Sequence, residues 1–192
     1  GQFAAPEVLF SYSDAGLSEL SAHYHHFLQH NIIRSVWRDK PRPILINNWE
    51  ATYMDFDGQR ILDIARQARE LGVEMLVLDD GWFGNRSDDT SGLGDWQVNE
   101  QKLGCTLGEL IGKVREMGLL FGLWIEPEMV CANTALYAAH PDWALTIPGR
   151  APATGRSQLV LDLGRPEVID YLYDIFHRLL AENDIAYIKW DM

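Results

Sequence analysis

Four short apolar segments, separated by stretches with helical periodicity, restrict this chain to a small set of folds. The candidate strands are residues 44–46, 73–78, 119–125 and 185–188. The candidate helices, in which apolar side chains recur three or four residues apart, are residues 57–71, 107–117 and 166–179. Strands that are almost wholly apolar are typical of a parallel sheet with both faces covered. The alternation therefore predicts an α/β fold with a parallel sheet.

The connections between these segments favour part of a barrel over a dinucleotide-binding sheet. No Gly-x-Gly-x-x-Gly loop follows any of the candidate strands. A closed barrel needs eight strands, so the chain contains about half of one. We expect residues 41–192 to form the truncated N-terminal half of a TIM (β/α)8 barrel, about the first four βα units. Residues 143–146 and 158–161 could pair as a hairpin before the last helix.

Residues 1–40 have a different pattern, and we expect them to lie outside the barrel. Residues 3–12 are predicted to be one short strand at the end of an upstream β-domain, and residues 17–30 to be a connecting helix. Within that helix, His26 and His30 have the i, i+4 spacing that a metal site can use. No further ligand lies nearby in the sequence, so a solvated helix face is the simpler interpretation. No metal site is expected.

Composition and charge narrow the class of partner. The formal net charge of -12 argues against binding to a nucleic acid backbone, which needs clustered Lys and Arg. No apolar run approaches the ~20 residues of a membrane span, and no N-terminal segment has the pattern of a signal peptide. Cys105 and Cys131 are most simply free, buried thiols, although the sequence leaves a disulfide open. We therefore expect a cytoplasmic protein that binds neither nucleic acid nor membrane.

Polar and aromatic residues stand at the carboxyl end of each candidate strand, where a purely structural sheet needs none. They are Asn47 and Trp49, Asp79 and Asp80, Trp124, Glu126 and Glu128, and Lys189 and Asp191. Barrel enzymes place their catalytic groups at this carboxyl end of the strands. Side chains alternate along a strand, so Lys189 and Asp191 share one face. Simpler interpretations stay open: the paired aspartates could cap a turn, the tryptophans could be core, and Lys189 could be an ordinary salt-bridge partner.

Carboxylates, indole rings and a cation at one edge favour a carbohydrate pocket. Carboxylates accept hydrogen bonds from sugar hydroxyls, and indoles cover the apolar faces of a pyranose. Retaining glycosidases use two carboxyl groups ~5–5.5 Å apart, one as nucleophile and one as acid/base. Asp191 is a reasonable nucleophile, since Lys189 beside it favours the ionised form. From spacing alone, either Glu126 or Glu128 could be the acid. Lys189 could instead form a Schiff base in an unrelated aldolase-type barrel.

Five segments of the chain, in this order, resemble the α-galactosidases of glycoside hydrolase family thirty-six. They are Asn47-Asn48-Trp49-Glu50, Leu78-Asp79-Asp80-Gly81-Trp82-Phe83, Gly122-Leu123-Trp124-Ile125-Glu126-Pro127-Glu128-Met129, Gly155-Arg156-Ser157-Gln158 and Lys189-Trp190-Asp191-Met192. Five such segments in order are far more specific than any one of them alone. The resemblance implies a β-sandwich domain, a (β/α)8 catalytic barrel and a small β-domain. It also implies removal of terminal α-galactose with retention and without a cofactor.

The same resemblance assigns roles to individual residues. Asp191 falls on the nucleophile, and Asp79 and Asp80 fall on aspartates that bind galactose hydroxyls. The other matching positions in the sugar pocket are Trp49, Trp124, Arg156 and Lys189. The family's acid is not a glutamate of the Glu-Pro-Glu segment but an aspartate on a later strand, beyond the end of this chain. General acid catalysis contributes ~10²–10⁴-fold, so we expect the chain alone to have little or no hydrolytic activity.

The expected function belongs to the parent protein, by which we mean a longer protein that contains this chain. We expect an α-galactosidase acting on raffinose- and melibiose-type oligosaccharides. Among enzymes, an α-N-acetylgalactosaminidase or a galactosyl-transferring relative is the alternative. Outside that class, the alternative is a non-catalytic sugar-binding fragment. The resemblance is also compatible with a homo-oligomeric parent.

Overall fold

The computed structural model of the chain describes residues 2–192, which divide into two compact units. The first unit extends to Arg42, and the second comprises Pro43–Met192. Within the described residues, no helix is both long enough and apolar enough to cross a membrane.

The first unit is built around one helix, α1 (Leu17–Phe27), which a π-helical turn continues over Leu28–Ile32. The helix predicted over residues 17–30 is therefore confirmed. The strand predicted over residues 3–12 is wrong, because these residues form no strand in the structure. An extended segment becomes a strand only when its backbone pairs with a neighbour, and three apolar residues in a row do not supply that neighbour. The apolar side chains at residues 8–10 are exposed.

The second unit contains the predicted parallel sheet. Its strands are β1 (Leu45–Asn47), β2 (Met75–Leu78), β3 (Leu120–Ile125), β4 (Met129–Cys131), β5 (Gln158–Val160) and β6 (Tyr187–Trp190). Its α-helices are α2 (Trp49–Thr52), α3 (Gly58–Glu70), α4 (Glu100–Leu103), α5 (Leu107–Glu116), α6 (Ala135–Ala139) and α7 (Pro166–Glu182). Strands β1, β2, β3 and β6 lie side by side in that order, and every pairing is parallel. The α/β prediction is confirmed, and the sheet is consistent with part of a TIM barrel.

The three long helices of this unit begin where local capping chemistry predicts. The Asp57 side chain accepts a hydrogen bond from the Arg60 N–H at the start of α3. Thr106 and Glu109 form a reciprocal capping box at the start of α5. Pro166 occupies the first turn of α7, where its missing N–H costs nothing. Each helix buries one apolar face, and the core they form with the sheet fixes the strand ends.

Strands β4 and β5 form a second, antiparallel sheet that the sequence does not predict. Residues 129–131 pair with residues 158–160. The predicted hairpin is therefore wrong in its main partner, although Ala144 does make one bridge to Leu161. A three-residue strand that directly follows a Glu-Pro-Glu turn is too short for periodicity to detect. This pairing matters for the site, because the turn that enters β5 carries Arg156.

Candidate active site

The polar strand ends meet at one edge of the parallel sheet. Strand β2 is in register with β3 up to the pair Leu78 and Leu123, and β3 is in register with β6 up to Ile125 and Trp190. Parallel strands finish at the same edge, so the residues that follow each of them become neighbours. Asp191 continues this pattern, since its N–H donates to the Ile125 carbonyl oxygen at 2.9 Å.

Lys189 is shared between two aspartates from different strands. Its Nζ lies 2.8 Å from Oδ2 of Asp79 and 4.0 Å from Oδ2 of Asp191. The Asp79 side chain is 3% exposed, and Asn47 Nδ2 also donates to its Oδ2. The ammonium is therefore closer to Asp79 than to the aspartate beside it in sequence. The predicted placement of Lys189 and Asp191 on one face agrees with this geometry.

Asp191 is held by two hydrogen bonds. The Trp124 indole Nε1 donates to Oδ2 at 2.9 Å, and the Met192 N–H donates to Oδ1 at 2.9 Å. Burial alone raises the pKa of the Asp191 carboxyl. The two hydrogen bonds, together with the nearby cations, outweigh burial and lower the pKa below its ordinary value. About half of the side chain stays exposed, so this carboxylate is both ionised and accessible.

Trp124 reaches the site through its N–H, while its ring belongs to the core. The residue is 2% exposed, and its ring lies among Phe83 and Trp96 with centroids 6.2 and 6.3 Å away. Its carbonyl oxygen accepts a hydrogen bond from Trp82 Nε1 at 2.9 Å. The ring is therefore a core residue, and a role of Trp124 in a sugar pocket stays a prediction. The aromatic cluster fixes the ring, and the fixed ring aims one donor at Asp191.

Asp80 forms a buried ion pair with Arg86, a residue that the sequence reasoning missed. Arg86 Nε donates to Oδ1 at 2.7 Å, and Nη2 donates to Oδ2 at 2.6 Å. Burial raises the pKa of the Asp80 carboxyl, and the guanidinium opposes that rise. One sequence signal could have found the partner: Arg86 is the only cationic residue between Gly84 and Gly94.

The two glutamates after β3 have different partners. Glu126 is fully buried, and its Oε1 accepts a hydrogen bond from Arg156 Nη2 at 3.2 Å. Its Oε2 has no hydrogen-bond partner among the described residues, and burial raises the pKa of this carboxyl. Glu128 Oε1 instead accepts from Trp190 Nε1 at 2.9 Å. The Arg156 side chain is half exposed and sits in a tight turn with φ of 49°.

Trp49 lies just after the first strand, and the side chain of Asn47 links it to Asp79. The Asn47 side chain accepts from the Trp49 N–H at 2.7 Å and donates to Asp79. The Trp49 ring is half-buried and packs edge-on against Tyr53, with centroids 5.3 Å apart. Among the described residues, Trp49 makes no hydrogen bond to Asp191.

Taken chemically, this edge offers an ionised, accessible carboxylate with a cation 4.0 Å away. Two further carboxylates, Asp79 and Asp80, are each locked against a cation. The Asp191 carboxylate can attack an electrophilic carbon, and the Asp79 and Asp80 carboxylates can accept hydrogen bonds from hydroxyls. No cluster of three His, Cys, Asp or Glu side chains arranged to hold a metal ion occurs in residues 2–192.

Known proteins match this chain over its whole length. The sequence model of the melibiase family matches residues 2–192. The bifunctional α-galactosidase/sucrose kinase AgaSK of Mediterraneibacter gnavus is 53% identical over 190 residues, which cover 99% of this chain and 20% of that protein. Alpha-galactosidase AgaA of Geobacillus stearothermophilus is also 53% identical over 190 residues, covering 99% of this chain and 26% of AgaA. The chain thus spans about a fifth to a quarter of the length of these curated relatives.

Solved structures of α-galactosidases contain the same arrangement of strands and helices. The crystal structure of the family thirty-six enzyme AgaA superimposes with a TM-score of 0.90 at 54% identity, covering 94% of this chain and 25% of that one. A variant of AgaA in complex with raffinose gives a TM-score of 0.90 at 53% identity, with the same coverage. The resemblance drawn from the five sequence segments is therefore confirmed. This chain belongs to the melibiase family.

Proposed function

We propose that this chain is the nucleophile-bearing part of an α-galactosidase that releases terminal α-D-galactosyl residues, with retention, from raffinose- and melibiose-type oligosaccharides. One observation carries the proposal. Asp191 is kept ionised by the Trp124 indole and by nearby cations, at the edge where parallel strands end. Retaining glycosidases need such a carboxylate to attack the anomeric carbon. The relatives described above are α-galactosidases, and one was solved with raffinose.

In this proposal, Asp191 forms the covalent galactosyl intermediate and the remaining site residues bind the sugar. Asp79 and Asp80 accept hydrogen bonds from galactose hydroxyls. Trp49, Trp124, Arg156 and Lys189 complete this side of the pocket. The acid that protonates the leaving oxygen is supplied from outside this chain. We assign residues 41–192 to the N-terminal half of a (β/α)8 barrel and residues 1–40 to the end of an upstream β-domain with its connecting helix.

The parent protein provides the direct test. Hydrolysis of p-nitrophenyl α-D-galactopyranoside and raffinose should be measured, with NMR following the anomer that appears first. We expect α-galactose as the first product, because two successive displacements restore the starting configuration. β-Galactose as the first product, or no hydrolysis, would contradict the proposal. Faster turnover of the matching α-N-acetylgalactosaminide would favour the alternative enzyme class.

The Trp124→Phe variant tests the hydrogen bond that holds Asp191 ionised. Loss of the indole N–H should raise the pKa of Asp191. We expect the acid limb of kcat/KM to move up by about one pH unit, since a hydrogen bond to a charged group is worth ~1.5–3 kcal/mol. Trp143→Phe is the matched control, because Trp143 is a buried tryptophan whose ring packs against His140 and Tyr171. An unchanged acid limb in Trp124→Phe would show that the indole does not tune Asp191.

We also propose a cytoplasmic location for the parent. Cys105 and Cys131 are both free thiols, although only Cys131 is buried and Cys105 is partly exposed. Free thiols are typical of reducing compartments. A homo-oligomeric parent stays a prediction.

A further inference from the structure

We propose that Arg86 is a positioning residue for the sugar site, which sets the orientation of the Asp80 carboxylate and joins the loop of residues 84–94 to it. The inference rests on the proposed function, in which Asp80 accepts hydrogen bonds from galactose hydroxyls. It adds a residue outside the five segments that carry the family resemblance.

The contact between Arg86 and Asp80 fixes the plane of the carboxylate. Both oxygens are bonded by the same guanidinium, at 2.7 and 2.6 Å, and a bidentate pair of this kind cannot rotate without breaking one bond. The Arg86 side chain is 0% exposed and that of Asp80 is 6% exposed, so water does not compete for the pair. Each oxygen still has a lone pair for a second donor. Arg86 thus leaves Asp80 able to bind hydroxyls, but in one orientation.

The third contact of the guanidinium holds the loop. Arg86 Nη1 donates to the Ser91 carbonyl oxygen, so the arginine side chain joins the two ends of the turn that runs from Arg86 to Ser91. Gly92 has φ of +81°, and a Cβ there would come within 3.2 Å of the Arg86 backbone. Only glycine therefore allows the loop to close this tightly around Arg86. The loop acts as a fixed support for the strand end.

The same loop also connects Asp80 to Arg156, a second arginine at the site. The Asp89 carbonyl oxygen accepts a hydrogen bond from Gln158 Nε2 at 3.3 Å. Gln158 Oε1 in turn lies 3.5 Å from Arg156 Nη2. A displaced loop would therefore disturb both Asp80 and the turn that presents Arg156.

Stability alone is a weak reason to bury this pair. Two charges removed from water pay a desolvation cost that their attraction roughly cancels, and apolar residues of similar volume often stabilise a fold at least as well. What an arginine adds is a fixed direction and a positive charge. Burial raises the pKa of the Asp80 carboxyl, and the guanidinium opposes that rise. Arg86 therefore keeps Asp80 as an acceptor of hydrogen bonds.

The first experiment compares Arg86→Gln and Arg86→Lys in the parent, using p-nitrophenyl α-D-galactopyranoside as substrate and free galactose as competitive inhibitor. We expect Arg86→Gln to raise KM and the inhibition constant by about 10- to 100-fold with a smaller change in kcat, because the loss of well-aligned hydrogen bonds to a charged group weakens binding by about this factor. Arg86→Lys keeps the charge but not the two-point contact, so its KM should lie between the two. Arg115→Gln, which breaks an exposed pair with Asp184, is the matched control and should leave KM unchanged.

The second experiment separates positioning from structural support. If Arg86 acts through Asp80, adding Arg86→Gln to an Asp80→Asn background should change KM by less than about threefold, whereas independent effects multiply. Multiplied effects, an unchanged KM in Arg86→Gln, or failure of both Arg86 variants to fold would each overturn the inference. A wild-type parent that does not cleave the substrate would instead contradict the proposed function, before any Arg86 variant is measured.

Discussion

Asp191→Asn in the parent should lower kcat for an aryl α-galactoside by at least about 10³-fold, as expected when the nucleophile of a covalent mechanism is removed. An amide is a poor nucleophile, and it does not form the glycosyl ester that a carboxylate forms with the galactosyl group. The fold should survive, because asparagine has the same shape and the side chain is about half exposed. Its amide oxygen can still accept the Trp124 hydrogen bond. Steady-state kinetics and thermal unfolding measure the two effects separately.

A rescue experiment makes this test specific for a nucleophile. In Asp191→Gly, the space left by the carboxylate admits azide, which can attack the anomeric carbon from the face opposite the leaving group. A single displacement inverts the configuration, so β-galactosyl azide is the expected product. Asp174→Asn, an exposed aspartate on α7, is the control and should retain normal kcat without any azide effect. Near-normal turnover of Asp191→Asn would exclude Asp191 as the nucleophile.

The strand ends could be predicted because they depend on local rules. The alternation of side chains along a strand places Lys189 and Asp191 on one face, and the structure agrees. Parallel strands separated by helices bring their carboxyl ends together, whatever the details of packing. These two rules were enough to collect the polar residues at one edge of the sheet.

The partners within the site could not be predicted, because they join distant parts of the chain. Lys189 binds Asp79 across 110 positions of sequence, and the Trp124 indole binds Asp191 across 67. Such pairs depend on register between strands and on how the core holds each ring. The same reasoning explains the wrong strand at residues 3–12. Its apolar residues satisfy a local pattern, but a strand also needs a neighbouring backbone.

The loop after β2 illustrates a third kind of limit. A connection longer than most βα loops is typical of a functional loop, but its length does not show that Arg86 carries the contact with Asp80. A single buried arginine has no periodicity and belongs to none of the five segments of the resemblance. Its position inside an otherwise uncharged or acidic loop is the one sequence feature that singles it out.

Lys189→Met should lower kcat/KM by about 10²-fold, since loss of one oriented electrostatic group in a site typically costs 10²–10³-fold. The ammonium lies 4.0 Å from Asp191 and contributes to the lowered pKa of that carboxyl. Without it the pKa of Asp191 rises, so the acid limb of kcat/KM should move to higher pH. Its loss also leaves the buried Asp79 carboxylate without its cation. We expect the free energy of unfolding to fall by about 2 kcal/mol, less than for a fully buried pair because Lys189 is partly exposed.

Lys189→Arg separates the charge of this residue from its shape. Arginine keeps the positive charge, so the acid limb should stay near that of the wild type. Its planar, larger head cannot sit as a point charge between Asp79 and Asp191, so kcat/KM should still fall. Lys113→Met, an exposed lysine on α5, controls for the loss of one positive charge and should change neither quantity. If Lys189→Met left both the acid limb and kcat/KM unchanged, the ammonium would serve only as a salt-bridge partner of Asp79. The simplest interpretation of its sequence position would then be the correct one.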